Sequence, residues 1–412
     1  PADAAALQQA LRELPTLVGE FEKPRYFRYN ASICAHGRSG ITACTRCLDA
    51  CPTDAIVSIG DSIEVDPKLC QGAGSCAAVC PTGAIGYAYP QLGDTLQRLR
   101  TLLKSYRQEG GANAVLLLHD AQDGRRRLAT LAQQLPENVI PFEIEEVGSA
   151  GMDTWLAALS YGASALWLLV TPGVPVSVMT AIEAQVNIAR AILQGMGYPA
   201  EVLQISGPDA AALSQLFGSR LPVFAPDYAE FAALDQKRTV IRLAVDHLYE
   251  QAPAPRPLVS LPAGSPFGDV EVSAERCTLC MACVSQCPAN ALSAGDEMPQ
   301  LKFIEANCVQ CGLCCRSCPE DAIAASPRFL YDTAKRNRMR VLHEEEPFCC
   351  IHCGKAFATR SVIERITQKM KGHPMFSGDA LARISLCDDC RVKAIYSDEQ
   401  AGHAGISSGE NQ

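Results

Sequence analysis

The sequence predicts an α+β multidomain fold in which two small cysteine-rich modules flank an open parallel α/β domain, with a further cysteine-bearing module at the C-terminal end. Three observations carry this. The 21 cysteines are clustered, with seven between positions 34 and 80, none from 81 to 276, nine from 277 to 318 and five from 349 to 390. The two richer clusters repeat one spacing pattern. The cysteine-free stretch between them alternates short apolar runs with amphipathic ones, as parallel β-α units do.

At 412 residues the chain exceeds one ordinary core, and a prior of about 100 to 200 residues per domain gives two to four domains. The boundaries expected are 1–33 for an N-terminal helical segment, 34–90 for the first cysteine block and 91–251 for the α/β domain. A linker follows at 252–268, then the second cysteine block at 269–330 and a metal-binding module at 331–412. In the α/β domain, strands are expected at 114–118, 139–144, 165–170 and 202–205, and helices at 124–135, 152–160, 177–196, 209–217 and 236–251. The linker is read from prolines at 253, 255, 257, 262 and 266. Repetition of the cysteine pattern on both sides marks a duplicated small module with the α/β domain inserted between its copies.

A formal charge of −9 argues against a nucleic-acid surface, because phosphate binding needs a clustered basic excess. The basic runs at Arg125, Arg126 and Arg127 and at Lys335, Arg336, Arg338 and Arg340 read as solvated helix surface, the second also as a dock for an acidic partner. Cysteines in metal-ligand spacings in a chain of this size indicate a reducing, cytoplasmic compartment rather than a disulfide scaffold. No run of 18 or more apolar residues appears, so no membrane span is expected. No secretory or twin-arginine signal is visible, and Pro1 in place of Met marks a trimmed start that leaves a lost leader open.

The second block reads Cys277-x2-Cys280-x2-Cys283-x3-Cys287-Pro288 and Cys308-x2-Cys311-x2-Cys314-x3-Cys318-Pro319. Thiolates two residues apart wrap a tight loop around one face of an iron-sulfur cube. The proline after the fourth cysteine fixes φ, removes a donor and turns the chain toward a neighbouring cluster. Zinc held by CxxC pairs does not account for eight cysteines in two such runs. Residues 277–323 resemble bacterial dicluster ferredoxins, in which the fourth cysteine of each motif serves the other cluster. The resemblance assigns Cys277, Cys280, Cys283 and Cys318 to one 4Fe-4S cluster and Cys287, Cys308, Cys311 and Cys314 to another, with Cys315 spare.

Residues 34–85 show the same pattern with two departures. The first motif keeps Cys44, Cys47, Cys51 and Pro52 but has Ile41 where its first cysteine belongs, and Cys34 is the replacement, brought back by the longer loop 35–43. The second keeps Cys70, Cys76, Cys80 and Pro81 but has Ala73 in place of its second cysteine. One cluster then takes Cys34, Cys44, Cys47 and Cys80, and the other only Cys51, Cys70 and Cys76. Loss of this cysteine resembles the seven-iron ferredoxins, where it goes with a 3Fe-4S centre; a 4Fe-4S cluster with water or another fourth ligand is the competing reading.

In the tail, Cys350-x2-Cys353 and Cys387-x2-Cys390 form two knuckles that suit a tetrahedral four-sulfur site. Zinc in a zinc-ribbon-like module is expected, with mononuclear iron or a further cluster using Cys349 as the alternative. His352 is expected beside the ligands rather than among them. The gap between knuckles exceeds the usual ribbon, and a helix at 361–371 fills it.

Two weaker resemblances bear on partners. The segment Ala157-Ala158-Leu159-x2-Gly162-Ala163, followed by Asn187, Arg190, Leu193 and Gly197, resembles the delta subunit of methyl-viologen-reducing hydrogenases. That family carries a 2Fe-2S site in cysteines absent here, which implies a docking role for this domain. Residues 348–392, with CxxCGKxF and LCxDCRV, resemble iron-sulfur proteins encoded with molybdopterin-dependent formate dehydrogenases, which implies a molybdopterin oxidoreductase subunit as redox partner.

No catalytic constellation is present. The pair Gly195 and Gly197 reads as a helix C-cap rather than a nucleotide loop. Glu143, Glu145, Glu146 and Glu344, Glu345 and Glu346 are expected to be solvated, and His119, His247 and His343 to be structural. The expected function is non-enzymatic: an iron-sulfur electron-transfer subunit passing electrons between its clusters and a redox enzyme. The alternative is an assembly or interaction protein whose clusters and zinc are structural.

Overall fold

A computed structural model describes residues 4–19, 23–206, 216–218, 227–296, 298–376 and 378–404. The central sheet is fully parallel. Its strands lie in the order Leu203–Ser206, Ala165–Leu169, Val115–Asp120, Val139–Ile144. Strand side chains alternate between faces, so Leu116, Leu118, Leu166 and Leu168 join the larger core while Val115, Leu117, Trp167 and Leu169 build a second on the opposite face. Helices Leu92–Gln108, Met152–Ser160, Val176–Gly195 and Lys237–Glu250 pack on the larger core. Apart from Leu92–Gln108, which no expected segment covers, these elements follow the expected segments closely; the helix expected at 209–217 lies almost wholly outside the described residues.

Helix Val176–Gly195 has the length and composition to cross a membrane. Here it packs through Val178, Ile182, Val186, Ala189, Ile192 and Leu193 into the α/β core. It ends as expected on a glycine cap: Gly197 takes φ +88, its N–H donates to the Gln194 carbonyl (3.0 Å) and the Tyr198 N–H donates to the Leu193 carbonyl (3.1 Å).

Both cysteine blocks share one plan. In the first, the outer strands Phe27–Tyr29 and Ile85–Tyr87 pair antiparallel around the hairpin Ile56–Ile59 and Ser62–Val65, with short helices Arg46–Asp49 and Ser75–Val79 carrying ligands. In the second, Gly268–Val272 pairs with Ile323–Leu330 around the hairpin Leu292–Ala294 and Gln300–Phe303, with helices Ala282–Gln286 and Leu313–Arg316.

Three expectations are corrected by packing. The proline-rich stretch is not a free linker: Leu258–Ser260 adds as a strand to Ile323–Leu330, and the Ala254 and Arg256 N–H groups donate to the Met196 and Gly195 carbonyls. The second basic run is solvated only in part, at Lys335 and Arg338. Arg336 is buried, donating to the Leu330 carbonyl and pairing with Asp246 at 2.8 Å, and Arg340 meets Asp269. Of the glutamates, Glu145, Glu344 and Glu346 are exposed as expected, whereas Glu143 pairs with Arg125, and Glu345 accepts from the Ser361 N–H and pairs with His343.

These contacts fuse the second block to the α/β domain. Phe267, Phe329 and Tyr331 belong to the α/β core, and the Tyr331 hydroxyl donates to the Ile192 carbonyl. Beside them, the buried Asp269 and Glu305 are held by Arg328 at 2.8 and 2.7 Å. Replacing Arg328 by Met leaves two buried carboxylates with only the half-exposed Arg340, and should cost about 3 kcal/mol, read as a lowered midpoint in denaturant unfolding of the iron-loaded protein.

Candidate metal centres

Left-handed backbone at fixed places shapes the ligand loops. In Cys277–Met281 the positive-φ residues are Leu279 and Met281, in Cys308–Gly312 they are Gln310 and Gly312, and in Cys70–Gly74 they are Gly72 and Gly74. Alternating helical hands curl successive N–H groups inward into an anion-binding concavity. Glycine supplies this cheaply in the first block; Leu279, Met281 and Gln310 adopt it against their preference. The Cys70 loop keeps the shape although its central ligand position holds Ala73.

Three of the four ligand sets each line one cavity. Cys277, Cys280, Cys283 and Cys318 surround one, and Cys287, Cys308, Cys311 and Cys314 a second. Cys51, Cys70 and Cys76 surround a third, with Ala73 also in its wall. Burial pushes the thiols up: Cys283 to about 12, with Cys277, Cys280 and Cys318 adding to it, and Cys76 to about 12, with Cys70 and Cys51 adding. Amides oppose this. The N–H groups of Arg46, Leu279, Gln310 and Leu313 pull Cys44, Cys277, Cys308 and Cys311 back toward thiolate.

The fourth set comes together through the loop at 35–43, which folds as the hairpin Gly37–Arg38 and Ile41–Thr42. Ser39 and Gly40 turn it, both at positive φ, and their N–H groups donate to Asp61, each at 2.9 Å. The hairpin closes where the Cys44 N–H meets the Ala35 carbonyl (3.3 Å), so Cys34 comes beside Cys44. Buried His36 locks the base. Its Nδ1–H donates to the Cys44 carbonyl (2.8 Å), which leaves Nε2 to accept from Ser58 Oγ (2.7 Å). Burial drives the Cys47 thiol up, and Cys80, Cys44, Cys76 and Cys34 reinforce it.

Spare Cys315 lies against Cys314, whose thiol hydrogen bond draws Cys315 down to about 7. No reading of spacing points to the left-handed Leu279 and Met281 or to the role of His36. Gly72, Gly74 and Gly312 are the sequence signal for the loops.

At the C-terminal end, strands Pro347–Cys349 and Ala356–Thr359 form one knuckle, turned at Gly354 (φ +75), and Cys387 and Cys390 sit at the start of helix Asp388–Ala404. The donor atoms of Cys350, Cys353, Cys387 and Cys390 all lie within 4.8 Å of one another, a four-sulfur set that fits a single tetrahedral ion. His352 Nδ1 is 3.5 Å from Cys390 Sγ, and Cys349 is exposed. Helix Arg360–Met370 fills the gap between knuckles as expected. The module also clasps the second block: Thr359 Oγ1 donates to the Thr278 carbonyl at 3.0 Å, inside the Cys277 loop, and Arg365 and Lys369 pair with Glu320.

A cavity of about 60 Å³ with no cysteine in its wall lies between the first block and the α/β domain, where Arg28, Arg98, Asp153, Asp235 and Lys237 line it.

A family model described as a 4Fe-4S dicluster domain matches residues 42–84 and 276–322. Curated relatives align over 39 residues, about 10% of this chain. They include hydrogenase-4 component A of Escherichia coli (49% identical, 19% of its length), a protein named ferredoxin 7Fe of Hydrogenibacillus schlegelii (44%, half its length) and a ferredoxin of Alicyclobacillus acidocaldarius (44%, half its length). The alignments thus span at most half the length of those relatives. Replacing Cys387 by Ser should cost the protein about one equivalent of bound metal at the C-terminal site while leaving its iron-sulfur absorbance intact, as elemental analysis and visible spectra would record. Both cysteine blocks of this chain are ferredoxin-like regions matched by a dicluster domain model.

Proposed function

We propose that the chain is an electron-transfer protein holding four iron-sulfur clusters, one of them 3Fe-4S, and one structural zinc. The observation that carries the reading is the enclosure of three ligand sets around separate cavities, within segments that match a dicluster domain. The residues fit the groups. Iron-sulfur clusters supply one-electron chemistry at potentials set by charge, amide donors and exposure; this chain supplies the cysteines, the inward amides and the buried walls. Ala73, in a loop that keeps its ligand-binding shape, favours three irons over four at the Cys51 set, and one relative bears the name ferredoxin 7Fe.

Within this reading, the partner is a molybdopterin oxidoreductase subunit of the formate dehydrogenase type, inferred from the resemblance of residues 348–392. The α/β domain, without cysteines, serves docking. Anaerobically reconstituted protein should hold about 15 irons, with one 3Fe-4S signal in low-temperature EPR. Ala73→Cys should raise the count to about 16 and abolish that signal. Mixed with the partner enzyme and its substrate, the clusters should become reduced as turnover proceeds. Clusters that stay oxidised during turnover would instead assign them a structural role in an assembly protein.

A further inference from the structure

The two dicluster blocks, separated by the whole α/β domain in sequence, touch each other through the residues next to their ligands. The hairpin that restores Cys34 to the first block reaches across: Arg38 donates to the Cys287 carbonyl at 3.5 Å, Ser39 Oγ accepts from Gln286 Nε2 at 2.9 Å, and Arg316 donates to the Thr42 carbonyl.

A second contact comes from the α/β domain. Arg238, in helix Lys237–Glu250, donates from Nη1 to the carbonyls of Pro81 (3.2 Å) and Pro266 (3.0 Å) and from Nη2 to those of Ala306 (3.0 Å) and Cys308 (2.9 Å). Pro81 follows Cys80, and Cys308 is itself in a ligand set. One guanidinium therefore bonds both to the carbonyl next to Cys80 and to the carbonyl of Cys308. Its Nε is shut away from solvent without a hydrogen-bond partner, and among the described residues no carboxylate pairs with it. A cation enclosed this way is costly unless something anionic balances it.

We infer that the electron path is one continuous line, with the Cys34, Cys44, Cys47, Cys80 set abutting the Cys287, Cys308, Cys311, Cys314 set across this seam, and with Arg238 as the fixed positive charge the two clusters share. The inference rests on the reading that both sets hold clusters. The Cys51 set and the Cys277 set then form the ends of the line. A nearby fixed cation stabilises the reduced, more anionic cluster, so Arg238 sets the potential of the central pair.

The test is an EPR-monitored redox titration of the full chain, reconstituted anaerobically, as wild type, Arg238→Gln and Arg238→Lys. In Arg238→Gln two of the four potentials should fall while the other two hold, with iron content unchanged, and Arg238→Lys should restore them. Loaded protein in which fewer than two potentials move overturns the central junction and leaves the relay reading standing. Protein that takes up no iron overturns both.

Discussion

The structure depends on thiols crowded into small, dry cores. Burial alone drives Cys47, Cys76 and Cys283 up, and each neighbouring sulfur drives them further. Such a core is stable as a set of neutral thiols or as thiolates around a cation, and only the second uses the inward amides of the left-handed loops. The hydrophobic clusters of both blocks are built around these same cysteines, with Phe27, Ile56 and Ile85 in one and Val270, Leu292 and Phe303 in the other. Metal loading and packing are therefore one event, since the ligand loops have little else to hold their strained backbone.

Around that constraint the chain is arranged as a clasp. The inserted α/β domain holds the two blocks together: Lys237 Nζ donates to the Ala77 carbonyl, and the next residue, Arg238, spans both blocks. Tyr331 stacks on Tyr249 with ring centroids 4.8 Å apart, tying the second block to the same helix. The C-terminal module closes the far side through Thr359 and Glu320. A domain with no cysteines thus fixes the spacing of groups it does not ligate.

The two cysteine blocks were legible in the sequence because CxxCxxCxxxCP is a loop geometry written in consecutive residues. The parallel sheet was legible for a similar reason, as continuous apolar runs at 114–118 and 165–170 announce burial on both faces. What escaped depends on long-range partners. Arg336 and Arg340 look like surface cations until Asp246 and Asp269 arrive from other segments. The prolines near 255 look like a linker until Ile323–Leu330 offers an edge to pair with. Arg238 carries no motif, and only the folded chain shows that it stands between two ligand sets.

The hairpin turned at Ser39 and Gly40 has a further consequence, for the order in which the molecule matures. Its contact with Arg316 joins residues 274 positions apart, and contacts of such long range close late because of their loop entropy. The N-terminal block can therefore leave the ribosome and gather its ligands while the outer side of this hairpin is still uncovered. That side is sealed only once the second block has been made, so the newborn protein passes through a stage in which oxygen and scavenging chelators reach the first block more readily than in the finished chain.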